Sequence, residues 1–359
     1  MLKYILRKIW YGLWVFLGVI TLIFFLFKIL PGDPARMMLG QRADIESVES
    51  IHKELGLDRP PVIQYLNYLN DISPISIHNY TNEDSYFYLD TEKYAPFVRL
   101  FNISNRSLVI KYPYLGSSFQ SGRPVSDILA EAFPLTLLLA VVSILFAIIL
   151  GVFLGVLTSV NPNGWFSKSI ISFSALGMAL PSFFAAILIA WIFAYLLGDY
   201  TGLNMTGSLK EVDDFGRGEH IQLKNLILPA VTLGIRPLAI VVQLTRSSLI
   251  NVLSQDYIRT ARAKGLSKYK VITRHALKNA MNPVITAVSG WFASLLAGAV
   301  FVEYVFDWKG LGVTIVNALD HYDFPVIMGA VLLISIMLVI INIIVDILYG
   351  VIDPRVRLK

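Results

Sequence analysis

Six stretches of this chain are long and apolar enough to cross a lipid bilayer, and that property excludes most folds open to 359 residues. A helix crossing a hydrocarbon core of about 30 Å needs about 20 predominantly apolar residues. The stretches are 9–29, 133–160, 169–198, 226–249, 281–303 and 324–349. The third contains Pro181 and is too short for two spans and a turn, so it is read as one span kinked near that proline. Composition agrees: 15% of the residues are charged, against about 25% in soluble domains. The first stretch also has the basic start and apolar centre of a signal peptide. However, Ile9 to Phe27 is uncharged for 19 residues, whereas a secretory apolar region runs for about 7–15. A retained first transmembrane helix is expected, with a cleaved signal as the alternative. The expected fold class is an all-α polytopic membrane protein with six transmembrane helices.

Charge orients the six spans, because Lys and Arg in short loops favour the cytoplasm. Lys3, Arg7 and Lys8 precede the first span, Lys168 follows the second, and Arg355, Arg357 and Lys359 follow the last. From Arg246 to Lys278 the chain carries eight Lys/Arg and a single acid, Asp256. All of these fall on one side if both termini are cytoplasmic. Residues 31–131 hold thirteen Asp/Glu against nine Lys/Arg, and the 304–323 loop holds Asp307, Asp320 and Asp323 against Lys309. A multi-pass protein of a bacterial inner membrane is expected, with these two regions outside.

The outer region divides in two. Ile45, Val48, Ile51 and Leu55 recur at helical spacing up to Gly56 and Pro60. Residues 71–112, rich in Tyr, Asn and Ser with short alternating runs, predict small strands. The expected organisation is a first transmembrane helix over 1–30 and an extracytoplasmic region over 31–131 with a small α+β insertion at 71–112. A core of five transmembrane helices follows over 132–353, with a cytoplasmic loop at 250–280, and then a tail at 354–359.

Chemistry is sparse. The chain has no Cys, its five His are scattered, and there is no P-loop, so no catalytic residue, metal site or cofactor is expected. The span interiors carry almost no acids, which argues against a proton-coupled secondary transporter or a self-sufficient channel. Glu303 and Asp346 lie near span ends. One interior charge stands out: Arg236, beside Pro237 in the fourth span. It either faces a polar pathway and meets a carboxylate, or snorkels or pairs structurally. Gly151 and Gly155 form a G-x-x-x-G that permits close helix approach.

The basic segment is more than a topology signal. DYIRTARAK suits a helix, Gly265 breaks it, and Ser267 is placed to cap a second helix through KYKVITRHALKNA. Leu266, Tyr269, Val271 and Ile272 are then expected to offer apolar contacts between the bases. Such a mixed surface suits a protein groove. Anionic lipid is a second expected contact, since each juxtamembrane base contributes about 1 kcal/mol of attraction. A nucleic-acid role lacks aromatic interleaving or a recognisable module.

Asp256 to Leu266 resembles the cytoplasmic "EAA" loop of binding-protein-dependent ABC importer permeases, in the D-Y-x-R-T-A-R-A-K-G-L form of dipeptide, oligopeptide and nickel permeases. Arg259, Thr260 and Ala261 stand where the general family has Glu-Ala-Ala, as in the peptide subfamily. The stretches LGLDRPPVIQYLNYL, LGSSFQSGRPVSDILAEAFPLTLLL, GMALPSFF, AVFVEYVFDWKGLGVTIVNALDHYDFP and DPRVR are similar to the same subfamily, leaving 71–112 as an insertion. The resemblance implies the type I importer permease (MetI-like) fold and a transporter subunit, not an enzyme. A homologous second permease would complete the pathway, two cytoplasmic ATPases would bind below, and an extracytoplasmic binding protein would deliver peptide. A nickel chelate or another small solute is the alternative cargo. Asp256, Arg259, Thr260, Ala261, Arg262, Ala263, Lys264, Gly265, Leu266, Ser267, Tyr269, Val271 and Ile272 would form the ATPase-coupling loop.

Overall fold

The computed structural model describes residues 2–29, 35, 44–54, 56–82, 85, 87–94, 96–212 and 218–352. The tail at 354–359, with its three bases, and Leu55 lie outside them. Among the described residues four helices are long and apolar enough to cross a membrane, Leu6–Phe27, Val125–Val160, Leu223–Leu253 and Phe324–Ile347. The second, at 36 residues, is about 54 Å long at 1.5 Å per residue, so it extends well beyond a bilayer core.

The third expected span is broken rather than kinked. Trp165–Ala179 and Ser182–Leu196 meet at an angle of 116°. Pro181 has no N–H to donate, and its ring excludes the helical conformation from Leu180; Leu180 accordingly sits at ψ 134. The second arm is α-helical over Ser182–Ile189 and π-helical over Ala190–Leu196. The fifth expected span also divides, into Asn282–Gly298 and Val300–Phe306. The first piece, at 17 residues, is at the short end of a crossing, and the second, at 7, is far below it.

The chain forms two compact units. One comprises Glu131–Val316 with Met1–Trp14 and Ile334–Lys359. Its core joins Leu139, Ala140 and Ile144 to Ala186, Leu228, Leu233, Leu295 and Phe306. Lys8 Nζ pairs with Asp346 Oδ2 at 2.8 Å, tying the first helix to the last. Gly151 and Gly155 face the Ile227–Leu253 helix so closely that Cβ atoms there would lie 2.8 Å from Val241 Cβ and 2.5 Å from Thr245 Cβ. The glycine pair therefore does set a close helix crossing.

The other unit comprises Val15–Ala130 and Asn317–Leu333. Ile20, Ile23, Ile72 and Leu332 form its apolar seam. Helices Ile45–Glu54 and Pro61–Ile72 precede an antiparallel sheet of β1 (Ile75–Asn79), β2 (Phe97–Ile103) and β3 (Arg106–Lys111) in the order β1-β3-β2. Alternation places Ser107, Val109 and Lys111 on the buried face of β3. There Val109 packs with Leu89 and Tyr94.

Asp71 organises this face. Its carboxylate accepts from Lys93 Nζ at 3.0 Å and from the Tyr94 hydroxyl, while Lys111 Nζ donates to its backbone oxygen. Burial pushes the Lys111 ammonium down from its ordinary value to about 8; Asp71 opposes that shift and Lys93 adds to it. Between about pH 8 and pH 10 the unfolded chain binds a proton that the folded one has lost, so this unit's stability rises with pH. In the wild type, protease protection of the sheet on heating is expected to increase from pH 8 to pH 9, below the range in which unfolded tyrosines such as Tyr94 ionise. Lys111→Met is expected to lose that rise. A slope that persists in the variant would remove Lys111 as its cause.

Candidate functional site: the basic elbow and the broken helix

The elbow is built by two local signals. Helix Asp256–Ala263 ends in a Schellman motif, in which the Gly265 amide donates to Arg262 O at 2.9 Å and the Leu266 amide to Ala261 O at 3.4 Å. That closure needs a left-handed residue, and Gly265 has φ +76. Ser267 then caps the next arm, its hydroxyl accepting from the Lys270 amide at 3.4 Å. The arm continues through Lys268–Lys270, a π-helical segment Val271–Ala276 and the turn Leu277–Ala280.

Burial sorts the candidate residues into an anchor and a tip. Ile258, Ala261, Val271, Ile272, Ala276 and Ala280 pack on Leu249 of the long Ile227–Leu253 helix, with Leu266 against their edge. Val271 and Ile272 are only 1% and 7% exposed. The expectation that they offer apolar contacts outward is corrected: they face this chain's own core, because the wide π turns keep positions 272, 276 and 280 on one side. Tyr269, 75% exposed, and Tyr257, 44% exposed, are the elbow's large apolar groups that remain at the surface. Arg259, Arg262, Lys264, Lys268, Lys270, Arg274 and Lys278 are all exposed, as are Asp256, Thr260, Ala263, Gly265 and Ser267. Arg259 lies 3.4 Å from Asp256, and Thr260 Oγ1 donates to Asp256 O at 3.1 Å, local contacts that stiffen the first arm.

Arg236 lies on the Ile227–Leu253 helix, just before Pro237. Its Nη2 donates to Leu180 O at 2.9 Å, so it holds a carbonyl at the break between Trp165–Ala179 and Ser182–Ile189. Its Nε is buried without a hydrogen-bond partner among the described residues. The guanidinium borders a cavity of about 70 Å³ with Ser182, Thr232, Trp291 and Ser294. Sequence reading singled out Arg236 but not these neighbours, which come from three separate segments.

Sequence reading also left Glu303 without a role. It is fully buried; its Oε2 accepts from the Gly312 amide at 2.6 Å, and its Oε1 has no hydrogen-bond partner among the described residues. The carboxylate thereby caps the first turn of helix Leu311–Asp320. Thr136 Oγ1 accepts from the Leu311 amide at 2.8 Å. The signal in the sequence was a lone acid in an apolar run, followed by the close-packing glycines of KGLG. Among the described residues no group of three or more His, Asp or Glu is placed to hold a metal.

A family model for the binding-protein-dependent transport system inner membrane component matches residues 147–358, and a model for the N-terminal part of such membrane components matches 1–82. The chain belongs to this family. A protein of Brucella abortus strain 2308 named for a peptide transport system permease is 36% identical over 354 residues, covering 98% of both chains. The dipeptide transport system permease protein DppB of Escherichia coli K12 and the glutathione transport system permease protein GsiC of Escherichia coli O6:H1 are each 34% identical, covering both chains fully. A chain of the MetNI methionine ABC transporter in an inward-facing conformation shares the fold at 16% identity and TM-score 0.51, over 63% of this chain and 97% of that one. The protein is thus a helix-rich polytopic permease subunit of a binding-protein-dependent ABC transporter, a membrane component that is not itself an enzyme. The family's members are inner membrane components of binding-protein-dependent transport systems.

Proposed function

We propose that the chain forms half of the translocation pathway of an ATP-driven peptide importer in a bacterial inner membrane, with both termini cytoplasmic. A homologous second permease supplies the other half, two ATPases bind below, and an extracytoplasmic binding protein delivers the peptide. The names of full-length relatives support peptide as cargo. The observation that carries the coupling role is the elbow itself. Its base is cemented into the chain's core by Ile258, Val271 and Ile272, while around Gly265 it exposes Arg262, Lys264, Lys268 and the ring of Tyr269. A rigid projection of this kind transmits a push from the ATPases into the long Ile227–Leu253 helix as a rigid-body movement between two states.

Gly265→Pro tests this. Proline fixes φ near −65°, whereas Gly265 holds +76, so the Schellman turn must open at a strain of about 1–3 kcal/mol. In the assembled importer the variant is expected to lower uptake about tenfold or more while ATP hydrolysis by the partners continues. Normal uptake by Gly265→Pro would remove the elbow from coupling.

A further inference from the structure

We propose that the cavity at the Leu180–Pro181 break is a carboxylate subsite of the translocation pathway, in which Arg236 receives the free C-terminal carboxylate of the peptide. The inference rests on the reading of this chain as a peptide-importer permease and specifies which end of the peptide it grips.

Charge is the first argument. A guanidinium in the middle of an apolar helix is costly and normally meets a counter-charge. Arg236 instead meets one neutral carbonyl, Leu180 O, and its Nε is buried with no partner among the described residues. Among the described residues no acid lines the cavity: its polar side chains besides Arg236 are Ser182, Thr232, Ser294 and the indole of Trp291. Thr232 already donates its hydroxyl to Leu228 O at 2.7 Å. What remains is a donor-rich cavity with an uncompensated positive charge, and an oxyanion is the chemistry that completes it.

The break supplies the second argument. Helix Ser182–Ile189 and its π-helical continuation begin at the cavity, with Ser182 and Ala185 in its wall. The first amides of that helix have no partner within it and carry the positive end of its dipole. Broken membrane helices aim such ends at anionic groups of their cargo. Helix end and guanidinium therefore converge on one small space from different segments of the chain.

Size decides how much of the cargo enters. About 70 Å³ is several times the space one water needs, about 10–15 Å³, yet far below the 300–1,000 Å³ typical of pockets that engulf a whole ligand. A carboxylate fits, and the peptide body does not. The cavity thus reads a terminal group and leaves side chains unread, as a transporter of varied short peptides requires.

The test uses the importer assembled in proteoliposomes with its second permease, ATPases and binding protein. ATP-driven uptake is measured for Ala-Phe and for Ala-Phe amide, each at a concentration that saturates the binding protein. Wild type is expected to favour the free acid about tenfold or more, the ratio of one charge-assisted pair. Arg236→Gln, which keeps a donor for Leu180 O, should lose that preference by slowing only the free acid, and Arg236→Lys should keep it. Equal wild-type uptake of both peptides, or an unchanged preference in Arg236→Gln, would overturn the subsite. So would a parallel fall of both rates with a lowered melting temperature, which marks Arg236 as a brace for the break alone. Uptake of neither peptide by an importer with active ATPases would instead refute the peptide reading itself. A second readout needs no binding protein. In chloride-free buffer acetate, but not acetamide, should raise the melting temperature of the assembled wild type and leave Arg236→Gln unshifted; no acetate effect on wild type counts against the subsite.

Discussion

Replacing Glu303 with Ala is expected to cost about 3 kcal/mol of folding stability. The carboxylate is buried and its Oε2 accepts from the Gly312 amide at 2.6 Å. Truncation leaves that amide unsatisfied in an apolar interior, at about 1–3 kcal/mol, and removes the side chain's packing as well. The surrounding backbone cannot close the gap with other groups. Gly310 and Gly312 already press so closely on the carboxylate that a Cβ at either would lie within 2.7 Å of Oε2. Glu303→Gln keeps an acceptor of the same shape and loses only the charge, so it is expected to cost less than half as much. Unfolding in detergent, followed by fluorescence with Trp308 buried beside the site, reads both variants. An Ala variant that melts with the wild type would show that Glu303 does not hold this corner.

The second large effect is expected at Gly155. A side chain there would place Cβ 2.5 Å from Thr245 Cβ and 3.0 Å from the backbone oxygen of Val242. No rotamer change relieves a clash with a carbonyl oxygen, so the helices Val125–Val160 and Ile227–Leu253 must part. Overpacking costs about 1–3 kcal/mol when side chains can adjust, and Gly155→Leu is expected to reach or exceed the top of that range. Because the second helix also anchors the elbow through Leu249, the variant should lose uptake as well as stability. Gly18→Ala is the control, since nothing lies within 4 Å of its position. Removing backbone freedom there should be neutral or add about 0.5–1 kcal/mol. If Gly155→Leu accumulates in the membrane and melts like Gly18→Ala, the close crossing is not formed.

Much of the molecule is legible in its sequence because the responsible interactions are local. Apolar runs of spanning length, Gly265 with Ser267 two residues on, and Gly151 with Gly155 one turn apart each carry their meaning within a few residues. What was not legible depends on segments far apart in the chain. Val271 and Ile272 lie among exposed bases, and their inward orientation is set by Leu249 and Ile258, which no local pattern names. The proline at 181 announces a bend, yet the 116° angle follows from packing, and the carbonyl at that break finds its donor 56 residues away on Arg236.

The sequence alone therefore determined the class of solvent, the placement of the basic elbow and the resemblance that led to the permease family. Length, hydropathy and turn chemistry are properties of contiguous residues, and a bilayer or a Schellman turn reads them directly. The tertiary structure decided which elbow residues stay exposed, what Arg236 and Glu303 hold, and that a cavity opens at the broken helix. Burial and charge compensation are settled by whichever distant segment covers a group, as Thr136 covers the amide of Leu311 from 175 residues away.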